Sequence, residues 1–274
     1  MNYKHLTNTV SPSTDPSPPL AGLSPTRTTG NASRISVIQY PCGELDVTAL
    51  NFTYGEAIGS TGGAPRKNTK RSEMDAAALE SSIRRAKKTM RQKMLTIAAN
   101  RLLTLTFREN LTDRDVAFQR FDYFKKLLKR NSFNLQYVGV IEFQKRGAIH
   151  FHLAINRKVN YNFLRKLWRQ ATGDLGGNID VQNPKNCGFA SFNPRRLSGY
   201  LTKYLKKAFA DNTEFNKRRY FSSKKIIPPR PSIYWSTSKD LVSVLHQLFQ
   251  KLVGRPPQNI TEFDTYWSGY FAST

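Results

Sequence analysis

Cysteine and histidine are scarce in this chain of 274 residues, which has two cysteines and four histidines. Cys42 and Cys187 form no CxxC pair, so neither a disulfide framework nor a cysteine zinc site is indicated. An apolar run of roughly 18 residues is also lacking, as is a signal-peptide pattern at the start. These absences exclude several secreted and membrane classes, and we expect a soluble, cytoplasmic protein.

Acidic residues are too few to balance the basic ones. The chain has 43 Lys and Arg against 19 Asp and Glu, which gives a net charge of +24 and a pI near 10.2. Such a charge favours a polyanionic partner through counterion release. Aromatic residues interleaved with the basic ones favour nucleic acid over a membrane surface or a merely solvated basic surface.

Composition divides the chain into four segments. Residues 1–70 are rich in Ser, Thr and Pro, and we expect a mostly disordered arm with one stray strand in "RISVIQY". Residues 71–99 are predicted as a basic helix that leads into the core, and residues 100–210 as the main folded domain. Residues 211–274 are predicted as a basic C-terminal extension.

The order of elements in the main domain predicts its fold class. Alternating apolar patterns predict four strands, at 102–107, 135–143, 149–155 and 178–182. Helical spacing predicts three helices, at 112–130 with Thr112 as N-cap, at 161–173 closed by Gly173, and at 195–210. The order β-α-β-β-α-β predicts an α+β domain with a ferredoxin-like, split βαβ antiparallel sheet. Such a sheet usually has one open face and one helix-covered face.

Two of the four histidines lie together in "RGAIHFHLAI". Because strand side chains alternate, His150 and His152 share one face. If Phe143 pairs with Ile149 across a five-residue loop, Glu142 lies opposite His150 with Cβ atoms ~4.5–5.5 Å apart. Two imidazoles and a carboxylate on one face would make a divalent-metal site with open positions. Two sheet histidines without a metal are the alternative, and a register slip of one residue would break the arrangement.

A second group of chemically active residues lies in "GYLTKYLKK", residues 199–207. Tyr200 and Tyr204 are four residues apart and therefore lie on one helix face, with Lys203 and Lys207 beside them. A phenol with a pKa of about 10 is a poor nucleophile unless cations or a metal favour its phenolate. Half-buried amphipathic tyrosines are the alternative. Taken with the histidines, the pattern indicates phosphoryl transfer, in which a tyrosine attacks a phosphodiester.

Three segments carry a resemblance to a known family. "LTLTF", "GVIEFQKRGAIHFHLAI" and "GYLTKYLKK" resemble motifs I, II and III of the HUH-superfamily rolling-circle replication initiators. The repeated tyrosine-lysine pair is similar to the two-tyrosine initiators of small single-stranded DNA phages and related plasmids. The resemblance covers about residues 100–210 and implies an HUH nuclease domain there.

The resemblance also implies roles for individual residues. His150, His152 and Glu142 would hold a divalent metal, Mg²⁺ or Mn²⁺. Tyr200 and Tyr204 would be the nucleophiles, and Lys203 and Lys207 would assist the phosphate or the phenolate. Thr104 and Thr106, in motif I, would have supporting roles at most.

The implied activity is site-specific nicking of origin DNA, presented single-stranded or extruded, in the cytoplasm of a bacterial host. The products would be a 5′-phosphotyrosine link and a free 3′-hydroxyl that primes rolling-circle synthesis, and strands would later be rejoined. No GxxxxGK[ST] segment occurs, so unwinding would need a host helicase, beside a host DNA polymerase.

Two other classes of protein compete with this interpretation. A transposase or relaxase could use the same active site on a different DNA substrate. A non-catalytic ferredoxin-like module could bind nucleic acid by stacking bases on sheet aromatics. Histidines on the face predicted to be open argue against that module.

Overall fold

The computed structural model describes residues 32–51, 76–182, 194–210, 220–264 and 268–273. Within these ranges the protein is α+β, with five α-helices and two five-stranded sheets. The described residues fall into two compact units. The larger one takes Ile38–Leu45 and Gly62–Pro231, and the smaller one takes the remaining segments.

The larger unit is built on the predicted strands and helices. Its helices are α1 (Ala76–Thr96), α2 (Arg114–Arg130), α3 (Tyr161–Thr172) and α4 (Pro194–Ala210). Its strands are β3 (Arg101–Phe107), β4 (Tyr137–Phe143), β5 (Ile149–Ile155), β6 (Gly177–Gln182) and the short β7 (Tyr220–Ser222). The sequence therefore predicted the order of elements correctly from β3 through α4, with ends that differ by a few residues.

The strand order of the larger sheet is β6-β3-β5-β4-β7, and all its pairings are antiparallel. The first four strands have the arrangement of a ferredoxin-like, split βαβ sheet. This confirms the predicted fold class. The added edge strand β7, which pairs with β4, was not predicted.

Both faces of this sheet carry helices, which differs from the expected open face. On one face α2 and α3 enclose a core that includes Phe121, Phe151 and Trp168. On the other face α1 and α4 pack over Val138, Val140 and Ala154. The second layer covers one end of the strands because the two helices supply an apolar surface there, made by Met90, Met94, Leu197, Leu201 and Leu205. The histidines lie toward the other end of the same face.

Local capping fixes where the core helices begin and end. Asp113, rather than the predicted Thr112, caps α2, because its carboxylate accepts hydrogen bonds from the backbone amides of Asp115 and Val116. Asn160 caps α3 in the same way, and Gly173 ends it with φ +55°. Trp168 of α3 donates from Nε1 to the backbone oxygen of Thr106 at 2.9 Å, which ties α3 to the end of β3 that lies beside His150.

The smaller unit forms the second sheet, with strands from both ends of the chain. Its elements are β1 (Ser33–Gln39), β2 (Leu45–Leu50), β8 (Ser232–Ser236), α5 (Leu241–Val253), β9 (Asn259–Asp264) and β10 (Ser268–Ser273). The strand order is β8-β1-β2-β10-β9. The predicted stray strand in the N-terminal arm is therefore part of a sheet, while the arm before residue 32 lies outside the described residues. The four predicted segment boundaries remain predictions.

Candidate active site

The register of the β4–β5 hairpin agrees with the one predicted from the loop length. Phe143 pairs with Ile149, and Glu142 pairs with His150. Gly147 has φ +85° in the loop, and its amide donates to the backbone oxygen of Gln144 at 2.8 Å. The compact turn therefore places a carboxylate directly across from the first histidine.

Glu142, His150 and His152 form a group that can hold a metal ion. Their candidate ligand atoms all lie within 4.8 Å of one another. His152 Nε2 is 2.8 Å from Glu142 Oε2, with the two side chains 7% and 18% exposed. Two imidazoles and one carboxylate form a donor set that suits a first-row divalent cation and leaves coordination positions open. The donor chemistry therefore fits the metal that the sequence predicted.

The Nδ1 atoms of both histidines have partners in the surrounding shell. Thr104 Oγ1 of β3 lies 3.2 Å from His152 Nδ1, because Thr104 and His152 are register partners. Gln144 Nε2 lies 3.2 Å from His150 Nδ1. Partners at Nδ1 hold each ring with its Nε2 toward the shared site, which is how outer contacts orient histidine ligands.

Burial favours the metal-binding form of His150. It lowers the pKa of that imidazole, and His152 lowers it further, while the negative charge of Glu142 opposes the shift. A neutral imidazole is the form that binds a cation. The hairpin therefore keeps its ligands ready for a metal near neutral pH.

The two tyrosines of α4 lie beside this group. The Tyr204 ring stacks on the His152 ring, with centroids 4.2 Å apart and planes 18° apart. The Tyr200 and Tyr204 hydroxyl oxygens are 2.7 Å apart, at hydrogen-bond distance. The helix is held there by Leu201 and Leu205, which are fully buried on the sheet. The fold thus brings both predicted nucleophiles to the predicted metal ligands.

The environment of Tyr204 disfavours its phenolate. Burial raises the pKa of Tyr204 well above its usual value. The hydrogen bond with Tyr200 and the charge of Glu142 raise it further. A nearby cation would act in the opposite direction.

The predicted lysines are less closely engaged. Lys203 is exposed and makes no hydrogen bond or ion pair with any residue that the structure describes. The side chain of Lys207 lies outside the described part of the chain. Thr106 donates to the backbone oxygen of Asn178 at 3.2 Å rather than to a histidine. Among the residues predicted as supporting, Thr104 alone is described in contact with a ligand.

Sequence reasoning missed Gln144 altogether. It follows the last residue of β4 and belongs to the turn, where a polar residue needs no special explanation. A signal was available, because a strand continued by one residue brings that position near the first histidine. Only the folded turn shows that the Gln144 amide faces His150.

Comparison with known families adds a separate observation. Residues 100–209 match the model of a family of replication-associated proteins, the ORF2 family. The match supports a replication-associated protein. The matched range includes the three candidate metal ligands and both tyrosines, so the candidate active site lies within the replication-associated segment. No curated protein and no solved structure gave a significant match.

None of the helices in the described ranges has the length and apolar character needed to cross a membrane.

Proposed function

We propose that this chain is a replication initiator that nicks origin DNA site-specifically through an active-site tyrosine. The nick leaves a 5′-phosphotyrosine link and a free 3′-hydroxyl for rolling-circle replication, and a later reversal rejoins the strands. The family match supports a role in replication and favours an initiator over a transposase or relaxase. A replication-associated protein binds DNA, and the net charge of +24 suits that partner.

One observation carries the proposal: two phenols adjoin a carboxylate–histidine group. The 4.2 Å stack of Tyr204 on His152 puts a phenol in contact with a candidate metal ligand. A half-buried tyrosine that only covered the sheet would need no such neighbour. Nucleophile and ligand group in contact are what a metal-assisted transesterification requires.

Glu142, His150 and His152 would hold the divalent metal, Mg²⁺ or Mn²⁺. When bound, the ion supplies charge stabilisation for the phosphoryl oxygens. Thr104 and Gln144 hold the two imidazoles in place at their Nδ1 atoms. The open end of the sheet leaves these ligands 7–18% exposed at Glu142 and His152, enough for a strand to approach.

The chemical step is a transesterification at one phosphodiester. The phenol oxygen of a tyrosine attacks phosphorus and loses its proton to solvent, which forms the phosphotyrosine bond. The bond from phosphorus to the 3′-oxygen breaks, and that oxygen keeps the electron pair and takes up a proton. The number of phosphoester bonds is unchanged, so the same site can run the reaction backwards to rejoin a strand.

The 2.7 Å contact of the two hydroxyls supports alternating use of the tyrosines. While one phenol is esterified to a 5′-phosphate, the other stays beside the same ligand group and can attack a second phosphodiester. Lys203, and Lys207 one turn further along, would offer charge to the phosphate.

The experiment is a denaturing gel of the full chain with labelled single-stranded oligonucleotides and Mn²⁺ or Mg²⁺. The oligonucleotide panel includes the origin of the replicon that encodes the chain. We expect a protein–DNA adduct that resists denaturation, and we expect EDTA to abolish it. The Tyr200→Phe/Tyr204→Phe variant should form none.

Tyr123→Phe is the matched control, since Tyr123 is a half-buried tyrosine of α2 on the opposite face of the sheet. It should form adduct at the level of the unmodified chain. Adduct formation by the double tyrosine variant, or none by the unmodified chain on its own origin, would contradict the proposal. The second outcome would favour a non-catalytic binding module.

A further inference from the structure

A cleft in the larger unit lies apart from the candidate active site. It has a volume of about 740 Å³ and is formed by α2, the loop into β4 and the strand β7. Tyr137, at the first position of β4, lines it, whereas Glu142 lies five residues further along the same strand. Five residues span roughly 17 Å, and an odd separation puts the two side chains on opposite faces.

Four lysines surround this cleft: Lys125, Lys126, Lys129 and Lys224. The one carboxylate in its lining is Asp122, which pairs with Lys125 at 2.6 Å. Within the described ranges, no carboxylate pairs with the other three lysines, and all three are exposed. At least three uncompensated positive charges therefore point at one concavity.

The floor of the cleft is apolar. Leu128, Leu135 and Tyr137 line it while being buried from bulk solvent, and Phe133 adds a half-buried ring. The guanidinium of Arg157 lies 4.6 Å from the centre of that ring. A rim of cations over an apolar floor matches a ligand that has anionic groups on one side and flat apolar groups on the other.

We infer that this cleft binds a segment of single-stranded DNA, with phosphates on the lysines and a base or sugar on the floor. Duplex DNA presents its phosphates outward but keeps the faces of its bases stacked inside, so it cannot use the floor. Single-strand sites combine basic grooves with aromatic contacts in this way. The inference relies on the proposed function only for DNA as the partner, and it adds a second contact away from the nick.

The first test measures how binding depends on salt. The full chain is titrated, in EDTA, against a fluorescein-labelled thymidine oligonucleotide of about 30 nucleotides, longer than a single site of about 4–16. Each phosphate contact on a single strand contributes about 0.7 to the slope of log K against log salt. The Lys126→Gln/Lys129→Gln/Lys224→Gln variant should therefore have a slope lower by about 2.

The matched control removes three other exposed lysines, Lys158→Gln/Lys166→Gln/Lys239→Gln, with the same change in net charge. Its slope should remain that of the unmodified chain. An equal loss in both variants would overturn the inference, because the effect would then come from net charge alone. Failure of the unmodified chain to bind the oligonucleotide would overturn it as well.

The second test addresses the floor, with Phe133→Leu and an abasic oligonucleotide of the same length. Loss of the ring should weaken binding of the normal strand about fivefold or more and leave the abasic strand unaffected. A thermal unfolding curve shows whether the variant is folded. Equal effects on both strands, or no effect on either, would overturn base contact at the floor.

These assays need neither metal nor an active tyrosine, so they separate the two proposals. A Tyr200→Phe/Tyr204→Phe chain should bind with the same slope. If no adduct forms but the slope falls only in the cleft variant, the nicking proposal alone fails. If an adduct forms and the slopes are equal, the cleft proposal alone fails.

Discussion

At the scale of single residues, the two histidines differ in how firmly their tautomer is set. The Thr104 hydroxyl both donates and accepts, so it can take the Nδ1 proton of His152 and leave Nε2 free for a metal. At His150 it is the amide nitrogen of Gln144 that faces Nδ1, which puts the proton of a neutral ring on Nε2. Rotating that amide by half a turn brings its oxygen to Nδ1 and frees Nε2. Metal binding at His150 therefore requires a rotation that His152 does not need.

Replacing Thr104 with valine should weaken metal binding. Valine keeps the shape of the side chain but removes the oxygen that lies at hydrogen-bond distance from His152 Nδ1. Loss of such an outer contact typically lowers metal affinity by about 10–100-fold. We expect that decrease for Mn²⁺, measured by isothermal titration of the full chain.

Thr106→Val is the matched control, on the same strand and with the same change of side chain. Thr106 bonds to the backbone oxygen of Asn178 and not to a histidine. Its Mn²⁺ affinity should stay within about threefold of the unmodified chain, the context-dependent scatter of single contacts. Equal weakening by both substitutions would point to a general loosening of β3 rather than to orientation of His152.

At the scale of elements, the hairpin of β4 and β5 supplies the ligands and α4 supplies the phenols. Close packing around β4 holds the hairpin in register. A Cβ atom at Gly139 would lie 2.5 Å from Leu153 Cδ2 and 2.8 Å from Phe221 Cζ. Glycine at this position lets β5 and β7 contact β4 from either side, because Leu153 and Phe221 are its register partners.

Gly139→Ala should destabilise the larger unit. The added methyl group cannot fit unless Leu153 and the Phe221 ring both move, and overpacking of this kind costs about 1–3 kcal/mol. The measurement is the free energy of unfolding from urea titration followed by circular dichroism.

Gly199→Ala gives a control of opposite sign. Gly199 is exposed inside α4, and a Cβ there meets nothing within 4 Å. Alanine in a helix interior is favoured over glycine by about 0.5–1 kcal/mol, so this variant should be more stable than the unmodified chain. A loss of stability at position 199 as large as that at 139 would contradict the packing argument.

At the scale of the whole molecule, the sequence predicts the larger unit far better than the smaller one. From β3 to α4 each element follows its neighbour closely, so alternation, helical spacing and one five-residue loop were enough to set order and register. The register in turn put Glu142 opposite His150 before any coordinates were considered. The Nδ1 partner Gln144 depends on how a turn closes, which spacing along the chain does not encode.

The smaller sheet had no such local signal. Its strand β2 pairs with β10, with Val47 opposite Ala272 and most of the chain between them. Nothing in the spacing of either segment identifies the other, since any two apolar strands could pair on pattern alone. The N-terminal arm and the C-terminal extension therefore read as separate segments, although both contribute strands to one sheet.

This pairing predicts that a change near the C-terminus will be felt in β2. Ala272 is fully buried, and aspartate there would place an unpaired charge inside the smaller sheet, which is strongly unfavourable. We expect Ala272→Asp to speed hydrogen exchange of the amides in 46–50, measured by mass spectrometry. The amides of β5 serve as the internal reference, because β5 pairs only within the other sheet. Thr261→Asp, at an exposed position of β9, should leave β2 exchange as it is. Unchanged exchange in β2 for Ala272→Asp would mean that the two ends of the chain do not depend on each other for their structure.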